Sequence, residues 1–224
     1  MDRLMRIGPV DDWVRTVAAH LRADPVTVGA EPADLDPLLE DGSVLLSCGV
    51  PGLHAVLLRL IRRDLVATTP LGWVPDADGA SRELAGWLHL PARPTLAADV
   101  AVQGTPREVR LVRDDHGGLL LHRGRLSAWR GGRFGGQSWH DDQRAADGPL
   151  RRVDVRPDYA ADCAVVAEVR APDLLRRVRT TRGRSVQTAC DEARAAFDGL
   201  THPRPVTRWT WYADPRQHWL LRSP

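Results

Sequence analysis

The apolar residues of this chain change their period part-way along it, and that change restricts it to a fold with a helical part and a sheet part. Up to about Arg93 they recur every three or four residues, and from Thr95 every second residue. A chain divided in this way is expected to be α+β, with helices leading and an antiparallel sheet following. Val10, Trp13, Val14, Val17, Ala18 and Leu21 mark a helix over Pro9–Arg22, opened by Pro9 and by the acidic pair Asp11-Asp12. A short helix carries Leu35, Leu38 and Leu39, and Ser43–Cys48 reads as a short buried strand ended by Gly49-Val50-Pro51-Gly52. The strongest stripe, Leu53, Val56, Leu57, Leu60 and Ile61, predicts a helix over Pro51–Asp64. Leu65–Thr69 and Trp73–Pro75 then predict a small hairpin turned at Pro70-Leu71-Gly72. Two helices, a strand, a third helix and a hairpin are the order of a winged-helix module, expected over residues 1–78.

Residues 79–224 are expected to form the sheet with its packed helices. Ser81 is a fair N-cap for a helix carrying Leu84, Trp87 and Leu88. Leu96, Ala98, Val100 and Val102 alternate, as do Val109 and Leu111, and Asp114-Asp115-His116-Gly117-Gly118 supplies a hairpin turn into a meander. Arg130–Gly148, rich in glycine and charge, reads as a mobile loop. Cys163–Val169 is a strand, Pro172-Asp173 opens a short basic helix, and Val186, Ala189, Cys190, Ala193, Ala196, Phe197 and Leu200 predict a helix over Arg184–Leu200. A Trp-rich terminal hairpin closes the chain, with Trp209 and Trp211 before a turn at Asp214–Gln217 and Trp219 after it.

Composition limits the function classes. With 43% hydrophobic and 27% charged residues among 224, the chain is too apolar to be intrinsically disordered. Its net charge of +2 is too small to advertise nucleic acid. No apolar run approaches the ~18 residues of a membrane helix, and no apolar stretch near Met1 predicts a signal peptide. Three scattered cysteines without a CxxC fit a reducing compartment, so a cytoplasmic location is expected. Every basic residue counted is arginine, and asparagine is absent as well; codon bias in a GC-rich genome accounts for both.

Few side chains converge in sequence. His140-Asp141-Asp142 resembles a fragment of a metal site, but no second ligand cluster answers it, so no metal is expected. Cys48 lies six residues before His54, the most local Cys–His pair. No phosphate loop, dinucleotide fingerprint, nucleophile elbow or zinc helix is present, and neither a cofactor nor enzymatic activity is expected. Arg170, Arg176, Arg177, Arg179, Arg182 and Arg184, opposed by Asp173 alone, are the best candidates for a surface that meets an acidic or helical protein. Arg59, Arg62 and Arg63, on the third helix of the winged-helix reading, would be the nucleic-acid contacts of a DNA-binding regulator.

The segments RRDLV (Arg62–Val66), LAGWLHLPARPTLAADVAV (Leu84–Val102) and GGLLLHRGRLSAW (Gly117–Trp129) resemble, in order and spacing, the EspG-type chaperones of type VII secretion systems. DPRQHWLLRSP (Asp214–Pro224) also looks like a strand–turn–strand of that family. The resemblance implies a non-enzymatic adaptor or chaperone that binds a helical substrate and keeps it soluble. Two alternatives stand beside it: a winged-helix DNA-binding regulator, and an enzyme or metal-binding protein with a site at His140/Asp141/Asp142 or Cys48/His54.

Overall fold

Short apolar runs without alternation become parallel strands, because such strands are covered on both faces. The structure, a computed structural model, describes residues 4–39, 42–160, 164–171 and 178–224. It divides into two units, residues 1–109 with 216–224, and residues 110–215. The first unit runs β1 (Leu4–Ile7), α1 (Asp12–Leu21), β2 (Val26–Thr27), α2 (Pro32–Leu35) with a 3-10 turn at Asp36–Leu38, β3 (Val44–Cys48), α3 (Val50–Arg62), β4 (Pro70–Pro75), α4 (Gly79–Trp87) and α5 (Pro94–Gln103). All five residues of β3 are buried. Its sheet is ordered β2-β1-β3-β4, every neighbour parallel, and Leu220 and Leu221 add a further parallel strand beside Pro70 and Leu71. Helices α1 and α5 cover one face through Val17, Ala18, Ala97, Ala98 and Ala101, packed on Leu4, Leu45 and Val74. Helix α3 covers the other, where Gly52 sits against Cys48 and Ile7.

This arrangement overturns the winged-helix reading. β3 and β4 run parallel in register from Val44↔Leu71 to Cys48↔Pro75, and parallel neighbours need a crossover, here α3, where a wing needs antiparallel strands. Leu65–Thr69 is a turn, closed by Thr69 N–H to the Leu65 carbonyl at 3.0 Å, and not a strand. The alternation at Leu96–Val102 is not a strand either, because it lies in α5, where Pro94 occupies the first turn and Leu96 is exposed. Alanine and valine at every other position satisfy either period. The small side chains let α5 lie directly on β4: a Cβ on Gly72 would fall 2.0 Å from the Ala101 carbonyl oxygen.

The second unit is antiparallel. Its strands are β5 (Thr105–Asp114, shared with the first unit), β6 (Leu119–Leu120), β7 (Gly124–Ala128), β8 (Phe134–His140), β9 (Gln143–Leu150), β10 (Arg152–Asp158), β11 (Ala164–Arg170), β12 (Val178–Gly183), β13 (Ser185–Phe197), β14 (Leu200–Thr201) and β15 (Val206–Ser223, also shared). The order β12-β11-β10-β7-β13-β15 forms its main path, with the β8–β9 hairpin pairing to β13. Leu126, Val153, Val155, Val165, Ala167, Ala193, Ala195, Trp209 and Trp211 fill the core on one face.

The helix expected over Arg184–Leu200 is strand β13. Its register shifts between Ala189 and Ala193, so the buried positions pass from Val186 and Thr188 to Ala193 and Ala195. A bulge that switches faces in mid-strand turns a period of two into spacings that imitate a helical stripe. The same shift lets Val186–Cys190 pair with β8 and Ala193–Phe197 with β7. The loop expected over Arg130–Gly148 is largely the β8–β9 hairpin, in which glycine is tolerated because backbone bonds hold the strands. The terminal hairpin is one strand, β15. The basic helix expected from Pro172, and Cys163, lie outside the described residues.

His140 shows what secures the β8–β9 hairpin. It is 3% exposed. Its Nδ1 lies 2.5 Å from Thr181 Oγ1, and the Asp141 carboxylate accepts N–H bonds from Arg184 at 3.0 Å and Ser185 at 2.8 Å. Burial lowers the imidazole below its ordinary range, against the pull of Asp141 and of backbone contacts at Gly183 and Val165. The unfolded chain therefore takes up the proton first, and stability falls as the pH drops below about 6.5. The urea midpoint of the protein is expected to fall between about pH 7.5 and about pH 5, and the fall to be smaller in His140→Gln. Gly72→Ala, which drives a Cβ into the α5 backbone, is expected to cost at least about 2 kcal/mol. Gly86→Ala, in α4 with open space around it, should gain about 0.4–1 kcal/mol in the same measurement.

Candidate active site

A parallel sheet ordered β2-β1-β3-β4 reverses direction between β1 and β3. The loops after these two strands leave to opposite faces and open a crevice at their carboxyl ends, the usual ligand position in such sheets. Three loops of the first unit meet there: Gly8–Asp11 after β1, Gly49 after β3, and Asp76–Asp78 after β4.

Arg6 ties the first and third loops to each other and to β3. It is a charged side chain 1% exposed, placed on β1 among apolar neighbours, so it needs compensation. Its Nη1 pairs with the Asp76 carboxylate and lies 3.4 Å from Ser47 Oγ on β3. Its Nε donates to the Pro9 carbonyl at 2.9 Å. Gly8, at φ +114°, folds the first loop over the guanidinium; a Cβ there would sit 3.2 Å from Arg6 Nη2. The Asp76 N–H donates to the Cys48 carbonyl at 3.2 Å, which holds the third loop to the second.

Asp78 caps α4, accepting from Ala80 N at 2.9 Å and Ser81 N at 3.0 Å, with the Ser81 hydroxyl on its other oxygen. Ser81, expected as the cap, is instead inside the helix. The N-terminus of α3 has no such cap: Gly49 holds that position with no side chain to offer. The space over Gly49 is framed by Asp76 Oδ2, Asp78 Oδ2 and Ser81 Oγ, at 3.4, 3.5 and 3.6 Å from where its Cβ would be. Two carboxylate oxygens and a hydroxyl thus face one residue without a side chain, at an uncapped helix start that favours negative charge.

Burial holds the Asp76 carboxyl above its ordinary range, in spite of the Arg6 guanidinium, and Asp11 and Asp78 push the same way. Asp78 is held below it, because the bonds from Ser81 and Ala80 outweigh its partial burial. The mouth has more acid than base, with Asp11, Asp76 and Asp78 set against Arg6.

The residues singled out by sequence fall in varied places. Cys48 and His54 flank this turn, but both are buried. Burial drives the Cys48 thiol well above its ordinary range, so it packs against Gly52 and supplies no nucleophile. His140, Asp141 and Asp142 lie at the β8–β9 turn of the second unit, where His140 and Asp141 are engaged as above. Among the described residues no three histidine, cysteine or acidic side chains gather to hold a metal ion. Arg59 forms a two-point contact with the Asp36 carboxylate at 2.5 Å, Arg63 donates to the Asp36 carbonyl at 3.2 Å, and Arg62 is exposed at the end of α3. Arg170 lies on β11 beside Glu168 and Asp154. Arg179, on β12, donates to the carbonyls of Arg144 and Ala145. Arg182 pairs with Asp158, and the Arg184 N–H with Asp141. Arg176 and Arg177 lie outside the described residues.

Sequence reasoning missed Arg6, Asp76 and Asp78. The available signal was Gly49, placed between an apolar run and the strongest helix, where it marks a strand-to-helix turn.

No family model matches the sequence, and no curated protein matches it. Solved structures do match the fold. A putative diacylglycerol kinase from Bacillus anthracis str. Sterne is similar over 100% of this chain and 97% of its own, with TM-score 0.75 and 11% identity in one structure and TM-score 0.73 and 11% identity in another. An NAD kinase from Archaeoglobus fulgidus in complex with ATP is similar over 100% of this chain and 94% of its own, with TM-score 0.65 and 12% identity. These matches overturn the EspG-type resemblance and, with it, the expectation of a non-enzymatic chaperone or adaptor with an acidic or helical protein partner. No described helix is long and apolar enough to cross a membrane. The chain has the fold of these kinase structures.

Proposed function

We propose that this chain is a phosphoryl-transfer enzyme, which takes the phosphoryl group from a nucleoside triphosphate and passes it to a hydroxyl of a small molecule. The observation that carries the reading is the fold, shared end to end with structures named for a lipid kinase and for a dinucleotide kinase, the latter with ATP. The geometry supports the crevice at Gly49 as the place. An absent side chain and an uncapped helix start are what a polyphosphate needs close to backbone.

The acidic mouth would repel a bare triphosphate. Asp76 and Asp78, whose Oδ2 atoms face the same point over Gly49, fit a magnesium ion, which commonly uses one or two carboxylates and completes its shell with phosphate and water. Such an ion would supply charge neutralisation to the phosphates. Arg6 orients Asp76 for that ion. The Asp76 Oδ1 is held by Arg6, which turns Oδ2 toward the crevice, where such an ion would sit. Arg6 is then a positioning residue, buried and out of reach of substrate.

The test is binding of a fluorescent ATP analogue with and without magnesium, followed by transfer of label from γ-labelled ATP to diacylglycerol in mixed micelles or to NAD. Saturable binding that needs magnesium is expected, weakened at least about tenfold (about 1.4 kcal/mol) by Gly49→Val. Asp76→Asn should weaken the magnesium-dependent binding and lose transfer with it. No binding at millimolar nucleotide, or binding indifferent to Gly49→Val, would overturn the reading.

A further inference from the structure

The run Trp129-Arg130-Gly131-Gly132 joins β7 to β8, and its two glycines decide its shape. Gly131 and Gly132 both stand at positive φ, 85° and 81°, successive left-handed positions that other side chains disfavour. The Gly131 N–H donates to the Ala128 carbonyl at 3.2 Å and closes the turn. The Trp129 N–H donates to the Glu192 carbonyl at 3.1 Å and ties the turn to β13. A Cβ on either glycine would meet nothing within 4 Å. The turn borders an open hollow of about 530 Å³, lined also by Ser127, Trp129, Arg130, Arg151 and Arg194.

The strand register brings these side chains together. Ala193 and Ala195 are buried in the core, so Arg194 between them lies on the outer face of β13. Leu126 is buried in the same core, so Ser127 shares the outer face, and it stands directly opposite Arg194. Trp129 follows two residues on, diagonal to Arg194. The Arg194 guanidinium lies over the Trp129 ring, 5.3 Å from its centroid, and donates to the Trp129 carbonyl at 3.4 Å. Indole and carbonyl hold this cation in place without cancelling its charge. Arg151 stands just before β10, where its N–H donates to the Arg170 carbonyl at 2.8 Å.

Among the described residues no carboxylate lines the hollow. Asp154, farther along the same face, is held by Arg125 at 2.6 Å and Arg152 at 2.7 Å. Asp191 accepts the Gly135 N–H at 3.0 Å, and the exposed Glu192 stands outside the lining. Arg130 and Arg151 are exposed and enter no ion pair among the described residues. Three arginine charges from three elements therefore border one hollow without an acid among them. Guanidinium forks suit oxyanions. A phosphate monoester carries about two negative charges near neutral pH and three terminal oxygens, so each arginine has an oxygen to meet. A carboxylate or a phosphate diester brings only one charge and two such oxygens. The Ser127 hydroxyl adds a donor, and the bare glycine turn leaves the approach open.

We propose that this hollow binds a phosphate monoester, carried by a soluble molecule or by a lipid head group. The site lies within the second unit, shares no residue with the Gly49 crevice, and stands or falls apart from the kinase reading. Isothermal titration of the full chain with glycerol phosphate, without magnesium, is expected to give saturable binding. Dimethyl phosphate and acetate should bind at least about tenfold more weakly (about 1.4 kcal/mol). Arg130→Ala and Arg151→Ala, both at exposed positions, should each weaken binding by a similar factor, with far-ultraviolet circular dichroism unchanged. Arg133→Ala, next to the turn but outside the lining, should leave binding intact, as should Gly49→Val. Sedimentation with phosphatidylcholine vesicles, plain or carrying phosphatidic acid, separates the two sources. Tighter binding to the phosphatidic acid vesicles than to glycerol phosphate assigns the monoester to a lipid; no such preference assigns it to a soluble molecule. Failure of both monoesters to bind, dimethyl phosphate binding as tightly, or Arg130→Ala or Arg151→Ala without effect would each overturn the proposal. So would an equal loss in Arg133→Ala, or loss of binding in Gly49→Val.

Discussion

The first unit depends on one buried cation. Arg6 sits on a strand that is otherwise apolar, and removing its charge from water is costly unless partners replace the solvent. The partners come from two loops and a neighbouring strand: the Pro9 carbonyl after β1, Asp76 after β4 and Ser47 on β3. The ion pair therefore does more than neutralise a charge. It sets where the loops after β1 and β4 stand relative to Gly49, and so sets the shape of the crevice between them. Water enters only from the Asp76 side, 21% exposed against 2% for Arg6. The carboxylate is the part of this pair that a ligand can meet.

In the second unit the corresponding constraint is the register shift in β13. A regular strand would present one face throughout and pair with one neighbour on that edge. The shift between Ala189 and Ala193 allows β8 to pair with the first half and β7 with the second. It also carries the strand on to Phe197 and the Asp198-Gly199 turn, whose carboxylate clamps Leu121–Arg123.

At the Gly49 crevice acidic groups outnumber Arg6, so a phosphate ligand would bring its own cation. Several arginines that look like free surface charge in the sequence are structural: Arg59 and Arg63 hold the segment at Asp36 against α3, and Arg179 pins β12 to β9. An arginine in a lysine-free chain therefore says little about binding until its neighbours are known.

The sequence by itself determined the local elements whose burial pattern is simple. The helices at α1 and α3, the buried strand β3 and the Asp114–Gly118 turn were all legible, because a stripe or an uninterrupted run has one reading. It could not decide whether β3 and β4 run parallel, since direction depends on which way α3 crosses, and the winged-helix reading failed there. Nor could it separate α5 from a strand, where small residues suit both periods, or β13 from a helix, where a bulge imitates one. The Gly49 crevice was unreadable for a related reason. Arg6, Gly49, Asp76 and Asp78 are spread over some seventy positions, and only the parallel sheet, by bringing strand ends to one edge, makes them neighbours.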